Sequence, residues 1–173
     1  MDFRDVTRLA LVEYRESLGY AADGLTAEQL RWQPSQGANH ILWLAWHIAR
    51  MEDAWLNRYA GNGSSVWRLP RWNALGGDLS WSGGAGHTSA EVANFPDIRI
   101  DEIAAYHDAV RSQSLKVLDA LSVADLESRN MELAPDFGDP PPTIAWTLAH
   151  VVVETAQHAG QAAYIRGLVP SRP

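Results

Sequence analysis

A run of apolar residues at positions 41–46 most constrains what this chain can fold into. The run opens a predicted helix from about residue 39 to residue 60, with Asn39 as its N-cap and Gly61 beyond its C-terminus. Residues 41–46 are apolar almost all round such a helix. A helix of that kind lies deep inside a bundle, because no side of it faces water favourably.

Three further long helices are predicted from apolar residues at helical spacing. Thr143 caps the last of them, and a capping box at Thr26 and Gln29 opens a short additional helix. No convincing strand pattern is present, so we predict an all-α fold, a four-helix bundle. The predicted ranges of the three helices are about 3–23, 99–121 and 144–166.

Residues 61–98 differ in kind from the rest of the chain. They contain seven of the 13 glycines and three tryptophans, Trp67, Trp72 and Trp81, without clear periodicity. Because tryptophan side chains need apolar cover, we interpret the segment as a long crossover packed over one end of the bundle. These three tryptophans are candidates for a pocket wall, since loop residues often line sites. Four of the other tryptophans are expected to fill the core, namely Trp43, Trp46, Trp55 and Trp146.

The composition of the chain excludes several kinds of site and disfavours several kinds of partner. The 173 residues suit one domain, 1–173, and the absence of cysteine excludes disulfides, thiolate metal sites and a catalytic cysteine. The formal charge of -7, with scattered basic residues, disfavours a nucleic-acid partner. The longest apolar stretch is far short of the ~20 residues of a membrane span, and the charged N-terminus is unlike a signal peptide. We therefore expect a cytoplasmic protein without a membrane partner.

His47 lies in the most apolar helix, one turn from Trp43 and Met51. A buried imidazole needs a partner for each ring nitrogen. The sequence leaves two interpretations open: a core histidine bonded to a backbone carbonyl or another helix, or a metal ligand.

The last helix carries His150, Glu154 and His158 at intervals of four, which places them in one row on one face. Neighbours in such a row have Cβ atoms roughly 6 Å apart, which suits two ligands of one ion. Gln157 and Gln161 lie near the same row, so a solvated polar face is an equally good interpretation.

Together, a histidine of the second long helix and a Glu/His pair of the last one would form a three-ligand site. Three protein ligands plus an open position are typical of catalytic zinc. The same donors accept nickel, iron or manganese. Three other residues, Asp53, His87 and His107, are expected to have surface roles.

Two motifs resemble the DinB/YfiT-like metalloenzymes. Residues 40–55, HILWLAWHIARMEDAW, resemble the second helix of that family, and residues 154–161, ETAQHAGQ, resemble its fourth helix. The resemblance extends over nearly the whole chain and is weakest in residues 61–98. It implies an up-down-down-up order of the four helices with the long crossover between helices 2 and 3. A homodimer is a further expectation from members of the family.

The resemblance assigns the metal ligands to His47, Glu154 and His158, and makes His150 a pocket residue beside them. Many members have histidine where this chain has Glu154. The glutamate version resembles the branch that includes mycothiol-dependent maleylpyruvate isomerase and related thiol transferases. It implies an enzyme in which the metal activates an external low-molecular-weight thiol, such as mycothiol or bacillithiol, towards a small electrophile.

Two alternatives stay open at this point. The metal could activate water for a hydrolase, with His150 as the nearest candidate for a general base. The bundle could instead be a non-catalytic, stress-associated dimeric binding protein whose metal is structural or absent.

Overall fold

The computed structural model describes residues 1–63, 65–76 and 83–170. Over these residues the fold is all-helical, as predicted, and the pairing of Arg129 with Thr143 is an isolated bridge rather than a strand. No helix in these ranges combines the length and the apolar character needed to cross a membrane. Trp81, a candidate for the pocket wall, lies outside the described residues.

The four long helices fall close to their predicted positions. A π-helix, Asp53–Ala60, continues the second of them, and short 3₁₀ turns lie at Val66–Arg68, Val123–Glu127 and Met131–Leu133. In chain order the helices are α1 (Phe3–Ala22), α2 (Ala27–Leu30), α3 (Ile41–Glu52), α4 (Pro70–Gly76), α5 (Ser89–Ala93), α6 (Ile100–Ala120), α7 (Ala134–Phe137) and α8 (Ile144–Leu168).

Helix α3 lies at the centre of the packing. Every one of its residues is buried, which confirms the position predicted from its apolar run. It contacts α6, α8 and α1, and α8 also packs along α1. Because α3 has no solvent face, each polar side chain that it carries must find its partner inside the protein.

His40, and not Asn39, caps α3. The Nδ1 atom of His40 accepts the backbone N–H of Trp43 at 3.0 Å, and Nε2 lies 3.1 Å from the carbonyl oxygen of Val92. A carbonyl can only accept, so Nε2 carries the proton and donates it. Burial disfavours the doubly protonated ring and lowers the pKa of His40 to about 4.

Two consecutive acidic residues, Glu52 at the end of α3 and Asp53 at the start of the π-helix, are both fully shielded from solvent. The prediction of a surface role for Asp53 is wrong. Its carboxylate accepts hydrogen bonds that hold the start of the crossover against the bundle. The donors from the crossover are Ser65 Oγ at 2.7 Å and the backbone N–H groups of Val66 at 2.8 Å and Trp67 at 2.9 Å. The hydroxyl of Tyr106 in α6, at 2.8 Å, and the side-chain amide of Asn57, at 3.0 Å, donate to the same carboxylate.

The described part of the crossover packs against the long helices, but Trp67 and Trp72 have a different role from the one predicted. Trp67 and Trp72 are buried against Tyr106 and belong to the core instead of a pocket wall. Apolar area drives both rings inward, and the Asp53 contacts place the chain so that they reach the core.

Of the four tryptophans assigned to the core, Trp43 and Trp46 are buried and Trp55 is partly buried. Trp146 is 48% exposed, so the core prediction is wrong for this residue. It lies near the start of α8, where its ring meets Trp55 and His150 and leaves one side open to solvent.

Replacing His40 by Asn should remove part of the acid sensitivity of the fold. A histidine with a pKa of about 4 when folded and 6.5 when unfolded binds fewer protons in the folded state between those values. The free energy of unfolding therefore falls as pH decreases through this window, by up to roughly 3 kcal/mol. Asparagine keeps a capping oxygen and does not titrate.

Urea unfolding at pH 7 and pH 4 measures this effect. We expect the wild type to lose about 2–3 kcal/mol more than His40→Asn over that interval. Asn39→Ala, which changes the neighbouring residue, serves as the control and should keep the wild-type pH dependence. Equal acid losses in His40→Asn and wild type would show that His40 does not cap α3 in its neutral form.

Candidate metal centre

His47 of α3 meets Glu154 and His158 of α8 where these two helices pack together. The Nε2 atom of His47 lies 3.6 Å from Oε1 of Glu154, and Nε2 of His158 lies 3.3 Å from the same oxygen. One donor atom from each residue lies within 4.8 Å of the other two. The structure thus brings together the three residues that the sequence singled out.

These separations are those expected of ligands around one ion. Zinc binds imidazole nitrogen and carboxylate oxygen at about 2.0–2.2 Å, so two ligands of a tetrahedral site lie roughly 3.3–3.5 Å apart. Direct hydrogen bonds between the same atoms would be shorter, near 2.7–3.2 Å. The donor atoms of the three side chains therefore converge at distances longer than those of direct hydrogen bonds.

Each histidine of the group is held through its other ring nitrogen. Nδ1 of His47 donates to the carbonyl of Gly83 at 2.6 Å, and Nδ1 of His158 donates to Oε1 of Gln161 at 3.0 Å. Both protons are thereby placed on Nδ1, which leaves the Nε2 lone pairs directed at the group. Metal-binding histidines in proteins are oriented by the same kind of outer contact.

The surroundings of His47 favour its neutral form. The ring is buried, stacks on Trp43 with the ring centres 4.7 Å apart, and meets the edge of His158 at 4.7 Å. Burial lowers the pKa of His47 below its ordinary value, and the proximity of His158 acts in the same direction. A neutral imidazole is the form that binds metal.

A glycine turn places the carbonyl that holds His47. Gly83 and Gly84 have φ angles of +63° and +97°, which residues with a Cβ atom rarely adopt. A Cβ on Gly83 would lie 2.4 Å from Met51 Cε, and one on Gly84 would lie 2.7 Å from Trp43 Cζ2 and 2.9 Å from Trp46 Cζ3. Glycine at both positions therefore lets the crossover approach α3 this closely without backbone strain.

His150 lies one turn before Glu154 on α8. In the part of the chain that the structure describes, it does not belong to the group of converging metal-ligand atoms. Its ring stacks on Trp146, with centres 4.3 Å apart, and meets the edge of Trp55 at 5.0 Å. Its predicted role as a pocket residue or general base stays a prediction. His87, assigned to the surface, is partly buried and accepts the indole N–H of Trp43 at 3.2 Å.

A second buried polar cluster was missed by the sequence reasoning. His107, predicted at the surface, is fully buried, and its Nε2 lies 2.9 Å from the hydroxyl of Tyr14 and 3.2 Å from Glu52. Arg111 donates two hydrogen bonds of 2.9 Å to the same carboxylate. Burial alone would raise the pKa of Glu52, but the hydrogen bonds from His107 and Arg111 outweigh it and hold that pKa well below its ordinary value.

One signal in the sequence could have indicated this cluster. Glu52 and Asp53 lie in the same predicted helix as the apolar run 41–46, within about two turns of its end, where a helix buried in a bundle offers little solvent. Two adjacent acids at such a place require buried partners, which the expected surface role of His107 did not provide.

The sequence and the fold are similar to those of known proteins. A model of the DinB superfamily matches residues 10–162. The chain belongs to the DinB superfamily. A solved structure, described as the crystal structure of the conserved protein of locus from Enterococcus faecalis, is similar over 98% of each chain with a TM-score of 0.82. Its sequence is 22% identical, so this likeness shows the fold alone. The search of the curated proteins returned no match.

Membership in the DinB superfamily agrees with the geometry of the site. The superfamily is associated with metal binding, and the three converging donors fit a metal-dependent protein. In this DinB chain the donors come from two helices, and the crossover supplies the carbonyl that orients one of them.

Replacing Gly84 by Ala should destabilise the fold more than replacing Gly86 by Ala. Both glycines have positive φ, +97° and +82°, so each alanine introduces backbone strain of about 1–2 kcal/mol. Only the Cβ at position 84 also overlaps Trp43 and Trp46, whereas nothing lies within 4 Å at position 86. Overpacking adds about 1–3 kcal/mol.

Chemical denaturation of the two variants measures the difference. We expect Gly84→Ala to lose at least about 1 kcal/mol more than Gly86→Ala. Equal losses would mean that the turn does not pack against α3 as described.

Proposed function

We propose that this DinB protein is a divalent-metal-dependent enzyme that uses an external low-molecular-weight thiol of the mycothiol or bacillithiol type. It would either transfer the thiol to small electrophiles or use the thiol to isomerise them. His47, Glu154 and His158 would hold the metal, with zinc as the first candidate and nickel, iron or manganese as further candidates. The observation that carries the proposal is the convergence of these three donors with both Nδ1 atoms already bonded elsewhere.

The charges of the donor set support a thiol as the fourth ligand. Two neutral imidazoles and one carboxylate leave a divalent ion with net positive charge, which favours an anionic partner. When bound, such an ion supplies a Lewis acid that lowers the pKa of a coordinated thiol and keeps it as thiolate at neutral pH. Since the chain has no cysteine, the thiol must come from another molecule.

The chain's own residues set the conditions for this reaction. Trp43 covers one face of His47 and restricts water there, while Glu154 and His158 are only partly buried, so a small molecule can reach the open side. The hydrolase alternative would require His150 as a base. We place it second because that ring is packed between Trp55 and Trp146.

Several finer assignments belong to the same proposal. We propose the up-down-down-up order for the four long helices, because two successive parallel helices need a long connection, and a long crossover joins α3 to α6. The homodimer and the cytoplasmic location stay predictions.

Metal retention tests the ligand assignment. After incubation with zinc and dialysis, we expect about one ion per chain in the wild type, and at least about tenfold weaker binding in His47→Ala, Glu154→Gln and His158→Ala. His150→Ala is the matched control, a histidine one turn along the same face, and should retain the metal. A wild type that keeps none of the candidate ions, or equal losses in all four variants, would contradict the assignment.

Thiol dependence tests the reaction. With a panel of small electrophiles, the metal-loaded wild type should react only when mycothiol or bacillithiol is present, and His158→Ala should be slower by about 10–100-fold. His150→Ala should stay within a few-fold of the wild type. Activity that needs no thiol and disappears in His150→Ala would favour the hydrolase. Bound metal without activity in either assay would favour a binding protein.

A further inference from the structure

A cleft of about 340 Å³ opens beside the N-terminal end of α8. Its walls come from separate parts of the chain. Trp55 lies in the π-helix, Trp146 in the first turn of α8, and Arg129 in the connection between α6 and α7. The remaining lining residues lead into α8, namely Pro140, Pro142 and Thr143. None of the residues assigned to the metal centre lines this cleft, so it is a separate place on the protein.

Two tryptophan rings give the cleft flat apolar walls. Trp55 and Trp146 lie edge to face, with ring centres 5.6 Å apart. His150 stacks on Trp146, with ring centres 4.3 Å apart, and the Trp146 side chain is still 48% exposed. A planar molecule can therefore stack on the open part of this ring. Aromatic surface gathered in a concave place is typical of a binding site for a small molecule.

The side chain of Arg129 brings a positive charge to the rim of the cleft. Its Nη1 atom donates to the carbonyl oxygen of Pro141, which lies between the lining residues Pro140 and Pro142. This hydrogen bond places the guanidinium group beside the cleft. It uses one of the several N–H donors of that group, and the others can bond a ligand.

Nearby acidic side chains do not pair with this charge. Asp125 and Glu132 line a neighbouring cleft that Arg129 also borders. The carboxylate of Asp125 accepts hydrogen bonds from the hydroxyl of Ser122 at 2.6 Å and from its backbone N–H at 2.8 Å. Among the described residues, neither these two acids nor any other forms an ion pair with Arg129. The guanidinium group is therefore available to an anion from solvent.

We propose that this cleft binds a small aromatic carboxylate, whose ring stacks on Trp146 and whose carboxylate pairs with Arg129. Guanidinium and carboxylate groups match in geometry, because two parallel N–H donors meet two oxygens. Of the described residues that line the cleft, Arg129 is the one cationic side chain, which suits a single negative charge better than a phosphate. Binding here needs no metal ion, so this site goes beyond the function proposed for the metal centre and does not depend on it.

Benzoate and benzamide are matched probes, because their planar shapes are nearly the same and only benzoate is charged. In NMR titrations of the full-length protein without added metal, benzoate should shift the indole N–H resonance of Trp146. That resonance is identified by its absence in Trp146→Phe. Benzamide should bind about three- to tenfold more weakly, since it lacks the charge-assisted hydrogen bonds to Arg129.

Arg129→Gln tests the charge, and Arg99→Gln is its control. Both substitutions change the net charge equally, but Arg99 is exposed, pairs with Asp101 and does not line the cleft. In Arg129→Gln, benzoate should bind only as weakly as benzamide. Arg99→Gln should keep the wild-type preference of about three- to tenfold for benzoate.

Trp146→Ala tests the stacking surface, and Tyr164→Ala is its control. Both side chains are exposed aromatic residues of α8, so neither substitution removes a core side chain. Trp146→Ala should weaken the binding of both probes by about two- to tenfold, measured from the broadening of the probes' own resonances. Tyr164→Ala should leave both affinities unchanged.

Four results would overturn the proposal. If benzoate does not shift the Trp146 resonance, the cleft takes no aromatic acid. If benzamide binds as tightly as benzoate, or if Arg129→Gln keeps the preference for benzoate, Arg129 does not select the charge. If Trp146→Ala binds both probes as the wild type does, the ring of the ligand lies in another place.

Discussion

The hydrogen bond from Nδ1 of His47 to the carbonyl of Gly83 is the contact on which the metal centre depends. A histidine inside a helix that is buried on every side has no water to satisfy it. The crossover provides one partner, at 2.6 Å, and this fixes the proton on Nδ1. The other nitrogen is left for Glu154, His158 and an ion. The geometry of the centre is therefore set by a residue 36 positions away in the chain.

The same buried helix explains the polar clusters around it. At its C-terminal end Glu52 turns towards α1 and α6, and Asp53 turns towards the crossover. Adjacent residues of a helix point about 100° apart, so the two acids are buried in different directions where the α-helix changes to a π-helix. Asp53 anchors the beginning of the crossover, and the turn at Gly83 brings it back onto α3. The crossover is thus tied to the π-helix at Asp53 and to α3 at the glycine turn, and the second contact places the Gly83 carbonyl.

The sequence predicted what depends on local spacing. The apolar run of α3 placed that helix at the centre, and the interval of four placed Glu154 and His158 on one face. Features that depend on distant partners were missed. His40 caps α3 with the help of Val92, 52 residues away, and His107 pairs with Glu52, 55 residues away. No spacing along the chain reveals such contacts, because they exist only once the helices have packed.

X-ray absorption spectroscopy of the zinc-loaded protein is the most direct test of the metal centre. It reports the atoms bound to the ion whether or not the protein is active. Two imidazole rings with oxygen as the remaining scatterers should be present in the wild type, and one imidazole should be lost in His47→Ala and in His158→Ala. An ion surrounded by oxygen alone, or an imidazole count unchanged by both substitutions, would contradict a centre built from His47, Glu154 and His158.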